Sequence, residues 1–289
     1  MSDFELHILE KNSIPKELRQ IPQPPSKLYI AGELPDKETV YLAVVGSRKC
    51  TTYGKDTVRK LINGLKGYPI AIVSGLAIGI DSLSHEAALE TGLICVAFPG
   101  SGISDNAFFP PSSLGLAKKI IERGGCVISE FPPEMKSTNY MFPMRNRLVA
   151  GLSKAALIIE AEEKSGTLIT ARMALDYNKD VLAVPGNINS PNSVGVNKLI
   201  KNGATPITCS DDILEALGFK IDNETKQASL FDDATAEEKE VLEILREPHE
   251  RDEFTRLMSG STAESNALLS MMEIKGLIKE EMGEIRRSV

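Results

Sequence analysis

Histidine and cysteine are scarce in this sequence, which narrows the chemistry open to it. Three histidines are present: His7 near the start, His249 in an acidic C-terminal stretch, and His85, the one close to glycine-rich loops. Catalysis through a histidine base therefore has little support. Asp81 and His85 share a helix face at i, i+4 spacing. No third ligand accompanies them, so no metal site is expected, and an Asp cap with a histidine satisfied in the same helix turn accounts for the pair. The four cysteines, Cys50, Cys95, Cys126 and Cys209, lie far apart without a C-x-x-C pair, and three sit in or beside apolar runs, as buried free thiols do.

Long apolar stretches are missing as well. The nearest, Leu148 to Ala161, is broken by Gly151, Ser153 and Lys154 and falls short of the roughly 20 residues of a membrane span. Asp3 and Glu5 stand where a secretory signal would be basic and then apolar, so the protein is expected in the cytoplasm. The dinucleotide fingerprint G-x-G-x-x-G is absent from the first glycine turn, which reads Gly46-Ser47-Arg48-Lys49-Cys50-Thr51, and the Walker pattern is absent throughout. These absences exclude an ordinary dehydrogenase or ATPase, and no cofactor is expected.

What is present is an α/β pattern in a chain of 289 residues. Apolar runs at Tyr41–Val45, Ile70–Val73, Leu93–Phe98, Cys126–Ser129, Ala155–Glu160, Val181–Val184 and Thr205–Thr208 are nearly continuous, as in strands covered on both faces. Helical segments alternate with them, several closed by a glycine just past the last turn. The order predicts a doubly wound, mostly parallel, Rossmann-like sheet over 37–219, preceded by an N-terminal extension, 1–36. A polar linker, 220–234, then leads to 235–289, where three short helices and a two-stranded tail suggest a winged helix. The net charge of −7 is unevenly spread. Residues 37–219 hold 19 basic against 17 acidic side chains, whereas 235–289 hold eight against 13, so a polyanion site belongs in the middle segment.

Five glycine-rich turns follow the first, second, third, fifth and sixth strand candidates: Gly46-Ser47-Arg48, the run from Ser74-Gly75 to Gly79, Pro99 to Gly102, Ser165-Gly166-Thr167 after Lys164, and Pro185-Gly186-Asn187. Glycine lets backbone N–H groups approach an anion, and helix N-termini add partial positive charge. Arg48 sits on this rim, and Arg145-Asn146-Arg147 enters it from the Phe142-Pro143-Met144 turn. Guanidinium forks fit phosphates, and Phe142 beside them fits a stacked base. The competing account for each arginine is an internal pair with Glu130 or Glu160.

The runs Val45-Gly46-Ser47-Arg48, Val73 to Ala77 with Gly79-Ile80-Asp81 and His85, Phe142 to Arg147, Ser165 to Ala171, and Val184-Pro185-Gly186 together resemble the motifs of the DprA (Smf) family, in the same order. The resemblance covers about residues 15–289, with a shorter N-terminal region than many members carry. It implies a non-enzymatic, usually homodimeric protein that binds and protects single-stranded DNA and helps load the RecA recombinase in natural transformation. By the same resemblance, the DNA pocket would comprise the Gly46-Ser47-Arg48 loop, Ser74 and Gly75, and the turn from Phe142 through Arg145, Asn146 and Arg147; Lys164, Ser165, Gly166 and Thr167 join it on the rim.

Two rivals are weaker. A phosphoribohydrolase-like enzyme would need paired glycines before its Gly-x-Gly-Thr loop and a glutamate after it, and Leu168-Ile169-Thr170-Ala171 supplies none. A winged-helix transcription factor would need basic residues in the helix around Ala263 to Met272, which has no arginine or lysine.

Overall fold

The computed structural model describes residues 5–220, 235–245, 249–250, 253–254, 262–281 and 283–287. The chain divides into two units, 1–220 and 221–289. Of the expected linker, 221–234 lie outside the described residues.

The larger unit is built on a nine-stranded sheet. Its strands are β1 (Leu6–Glu10), β2 (Lys27–Gly32), β3 (Val40–Val45), β4 (Ile70–Ser74), β5 (Ile94–Ala97), β6 (Cys126–Ser129), β7 (Ala155–Ile158), β8 (Asp180–Ala183) and β9 (Thr205–Pro206), in spatial order β1-β2-β6-β5-β4-β3-β7-β8-β9. From β6 to β9 every pairing is parallel. The central strands are buried along their whole length, which is why they read as unbroken apolar runs. All seven expected strands of this region are present to within one or two residues at each end.

The chain winds outward from β3 through β4 and β5 to β6, then returns to the other side of β3 to place β7, β8 and β9. The switch point therefore lies between β3 and β7, which pair in parallel from Leu42↔Ala155 to Val45↔Ile158. In a sheet of this kind, the loops at the carboxyl ends of those two strands diverge and leave a crevice.

Helices cover both faces: α1 (Lys16–Arg19), α2 (Thr52–Asn63), α3 (Ile80–Thr91), α4 (Leu114–Glu122), α5 (Met141–Leu152), α6 (Gly166–Asp176), α7 (Val194–Lys201) and α8 (Ser210–Ala216). Punctuation acts as expected at α3, where Gly92 adopts φ 81° and its N–H reaches back to the carbonyls of Ala88 and Leu89. Helix α5 starts at Met141 and carries Pro143 in its first turn, where the missing N–H needs no partner.

The segment 1–36, set apart by the sequence as an extension, contributes two strands to this sheet, Leu6–Glu10 and Lys27–Gly32. Strand β2 pairs antiparallel with β6, from Tyr29↔Ser129 to Gly32↔Cys126, and β1 pairs antiparallel with β2. Ile14, Leu18, Leu28 and Ile30 are buried in the same core as Val73, Phe98 and Leu148.

The second unit contains α9 (Ala236–Ile244), β10 (His249–Glu250), α10 (Thr262–Ile274), β11 (Ile278–Glu281) and β12 (Glu284–Arg287), the strands forming an antiparallel sheet in the order β10-β12-β11. Val241, Leu245, Phe254, Leu269, Met272 and Ile285 make its core. The helix expected over Asp252–Met258 lies largely outside the described residues. No described helix is long and apolar enough to cross a membrane.

Candidate nucleic-acid interface

A cleft of about 390 Å³ opens at the switch point, between the loop after β3 and the start of α6. Its first wall is the loop 46–51, which is pinned on all sides. Ser47 Oγ accepts from Lys49 N (3.1 Å), the Ser47 carbonyl accepts from Ile80 N (3.2 Å), and the Lys49 carbonyl accepts from Asn192 Nδ2 (2.8 Å). At the far end, the buried Glu160 carboxylate accepts from Thr51 N (2.9 Å) and Thr51 Oγ1 (2.5 Å), just ahead of α2. A carboxylate there is favoured by the helix dipole, and Gly54 leaves it room, since a Cβ at Gly54 would lie 2.6 Å from the Glu160 carboxyl carbon. Arg48 and Lys49 are thus presented outward by a rigid loop, and neither is in an ion pair among the described residues.

The opposite wall is the N-terminus of α6. Ser165 caps it by accepting from Thr167 N (3.2 Å), and Thr167 Oγ1 donates to the Gly46 carbonyl (3.1 Å), tying α6 to the loop after β3. Gly166 is exposed with open space where a side chain would be, so its backbone is accessible to an anion at the helix's positive end. Lys164 adds an exposed cation and Glu162 an exposed acid.

Phe142 closes the third side. The Arg48 guanidinium lies 5.3 Å from its ring centroid, and the Phe109 ring packs against it in a tilted pair with centroids 5.8 Å apart. Gly100 makes this possible, because a Cβ there would fall 2.4 Å from the Phe142 ring. Phe109 is 40% exposed, so the aromatic surface continues beyond the cleft. An arginine over an aromatic face, with the exposed Phe109 ring beside it, offers both a phosphate contact and a surface on which a base can stack.

The floor holds Arg145, expected on the rim as a phosphate contact. It lines the cleft but is only 6% exposed, and its fork is spent inside: Nη1 donates to the Phe98 carbonyl and Nε to Asn146 Oδ1 (3.1 Å). Gly75 makes the space, since a Cβ at that position would sit 1.7 Å from Nη1. Asp81 is the compensating charge. Burial pushes its carboxyl up, against the pull of Arg145 and of the Gly75 and Ala77 amides; burial likewise pulls the Arg145 guanidinium down, against Asp81. Asp81 Oδ2 accepts from Gly75 N (3.1 Å), so it braces the loop after β4 and is not the cap of α3, a position taken by Gly79.

Of the thirteen expected site residues, ten line the cleft: Gly46, Ser47, Arg48, Phe142, Arg145, Asn146, Lys164, Ser165, Gly166 and Thr167. Ser74, Gly75 and Arg147 do not. Ser74 is fully buried, its hydroxyl donating to the Val44 carbonyl (2.6 Å). Arg147 is two residues from Arg145 and so points from the other side of α5. There it pairs with Glu130 and donates to the Gln23 carbonyl, anchoring the N-terminal segment. Lys49 and Phe109 were not singled out from the sequence. Lys49 was legible as Arg48's neighbour, whereas nothing local connects Phe109 to Phe142.

His85 also departs from expectation. It is fully buried, and neither ring nitrogen makes a well-formed hydrogen bond; burial takes its pKa down to about 3, with the Ser74 backbone pulling upward less strongly. It is a neutral core residue. No cluster of three or more metal-binding side chains occurs among the described residues.

Fold and cleft together define a Rossmann-like α/β protein with a cationic, aromatic-walled cleft at its switch point. A family model described as DNA recombination-mediator protein A matches residues 5–218. Protein Smf of Escherichia coli is 40% identical over 215 residues, covering 74% of this chain and 57% of that protein. DNA processing protein DprA of Streptococcus pneumoniae is 38% identical over 205 residues, 71% of each. Among solved structures, the Streptococcus pneumoniae DprA aligns over 76% of both chains with a TM-score of 0.68. Helicobacter pylori DNA processing protein A, whose structure describes a single-stranded-DNA binding mode, aligns over 75% of this chain and 98% of its own at 29% identity and a TM-score of 0.64. This chain belongs to the DNA recombination-mediator protein A family, the DprA/Smf proteins.

Proposed function

We propose that this chain binds single-stranded DNA in the switch-point cleft and passes it to a RecA-type recombinase during DNA uptake and transformation, acting in the cytoplasm as a homodimer and without catalysis of its own. The observation that carries the reading is Arg48, exposed on a pinned loop and held over Phe142, with Lys49, Lys164 and the α6 N-terminus around it. Phosphates would meet Arg48, Lys49 and Lys164, while a base would stack on the Phe142 and Phe109 surface. The Helicobacter relative's binding mode and the family's description as a recombination mediator support the same reading.

Single-strand binding is tested by titrating labelled single-stranded and duplex oligonucleotides at two salt concentrations. The expected result is preference for the single strand, with log K falling by about 0.7 per unit of log salt for each phosphate neutralised. Arg48→Ala should weaken binding to all sequences alike and make that slope shallower. Equal affinity for duplex and single strand, or an unchanged Arg48→Ala variant, would overturn the assignment. Handover is tested separately, by whether the chain speeds RecA nucleation on a single strand.

A further inference from the structure

The loop that carries Arg48 has two sides. On the far side from the switch-point cleft lies a second cleft of about 420 Å³, and Arg48 and Lys49 line both. One wall of this second cleft is cationic: Arg48, Lys49 and Lys55, the last in the first turn of α2 and exposed. No ion pair engages Lys55 among the described residues, and Glu86 is the one acid in the lining. The rest of the lining includes apolar and hydroxylic surface: Ile78, which is 59% exposed, together with Leu116 and the exposed Ser112. The hydroxyls of Ser82 and Ser113 are already committed inward, to the carbonyls of Ala77 (2.8 Å) and Leu76 (2.9 Å).

A groove that combines cations outside any ion pair with exposed apolar surface matches an unpaired strand, whose phosphates and bases need these different environments. The ridge between the clefts is held from both sides, by Asn192 on the Lys49 carbonyl and by Ile80 on the Ser47 carbonyl, so its cations keep a fixed position for either cleft.

We propose that the single strand crosses the Arg48–Lys49 ridge and continues into this second cleft, where Lys55 holds phosphate and the Ile78–Leu116 surface takes a base. The inference rests on the reading of the switch-point cleft as the primary single-strand site. It makes the site bipartite, with Arg48 at its centre and not at its edge.

The test compares labelled dT4 and dT12 on the full chain. Wild-type protein should bind dT12 with a steeper salt dependence than dT4, by about 0.7 in slope for each added phosphate contact. Lys55→Glu should lower dT12 affinity about tenfold and dT4 affinity much less, erasing most of the difference in slope. Cys50, half-buried in the second cleft's lining, supplies an independent readout: dT12 should slow its alkylation by iodoacetamide more than saturating dT4 does. Equal losses for the two oligonucleotides in Lys55→Glu, or equal slopes and equal Cys50 protection in the wild type, would show that the second cleft takes no part. If Arg48→Ala left dT4 binding intact, the primary site itself would be misassigned and the extension would fall with it.

Discussion

The three arginines, Arg48, Arg145 and Arg147, are one residue type in three electrostatic situations. Arg48 is exposed and free to meet phosphate, Arg145 is buried beside Asp81 under the cleft, and Arg147 is locked to Glu130. Their substitutions should therefore separate. Arg48→Ala is expected to cost affinity with little change in stability, whereas Arg145→Ala leaves the buried Phe98 carbonyl without its donor and should destabilise the fold by about 1–3 kcal/mol. Urea unfolding beside oligonucleotide titration distinguishes the two, and equal stability loss in both would contradict these placements. His85 gives a pH signature. Its folded pKa, about 3, lies below the ordinary value of 6.5, so its contribution is fully present above about pH 6.5 and is lost as pH falls toward 3. The urea midpoint should decline between pH 6.5 and 4.5, above the main carboxylate range, and His85→Gln should flatten that decline.

At the scale of elements, the N-terminal strands decide where the functional unit begins. Without β1 and β2, the edge of β6 would be unpaired and the core around Val73, Phe98 and Leu148 would lose Ile14, Leu18, Leu28 and Ile30. A fragment starting at residue 37 is expected to aggregate on expression, while one spanning 1–220 should be monodisperse; a soluble, cooperatively unfolding 37–219 fragment would refute this. In the second unit, Ser265 of α10 is buried whereas Ile274 is 86% exposed. Helical geometry gives the reason, since Ser265, Leu269 and Met272 recur at i, i+4 and i+7 on one face, and Ile274 falls well off it.

At the scale of the molecule, charge and unit boundaries coincide. The segment with the net positive balance lies inside the unit that carries both clefts, and the segment with 13 acids against eight bases makes up most of the other unit. The family model likewise ends at residue 218. Removing 221–289 is therefore expected to leave single-strand affinity within a few-fold of the full chain at about 0.15 M salt, where screening confines the acidic unit's field to about 8 Å. A loss of more than a hundredfold on that truncation would place essential contacts in the C-terminal unit.

The sequence alone determined the parallel sheet, the positions of seven strands and the edge on which the glycine turns gather, because strands buried on both faces must be apolar throughout and helix ends must be punctuated. It also determined Arg48, Phe142 and the Ser165-Gly166-Thr167 cap as candidates, since their local motifs carry their chemistry. Only the tertiary structure decided that β1 and β2 complete the sheet, for pairing with β6 joins residues about a hundred positions apart. It alone also decided which arginine faces solvent. Burial depends on what each helix face meets across the fold, and Glu130, Phe98 and Gly75, which hold Arg147 and Arg145 inside, are distant from them in the chain.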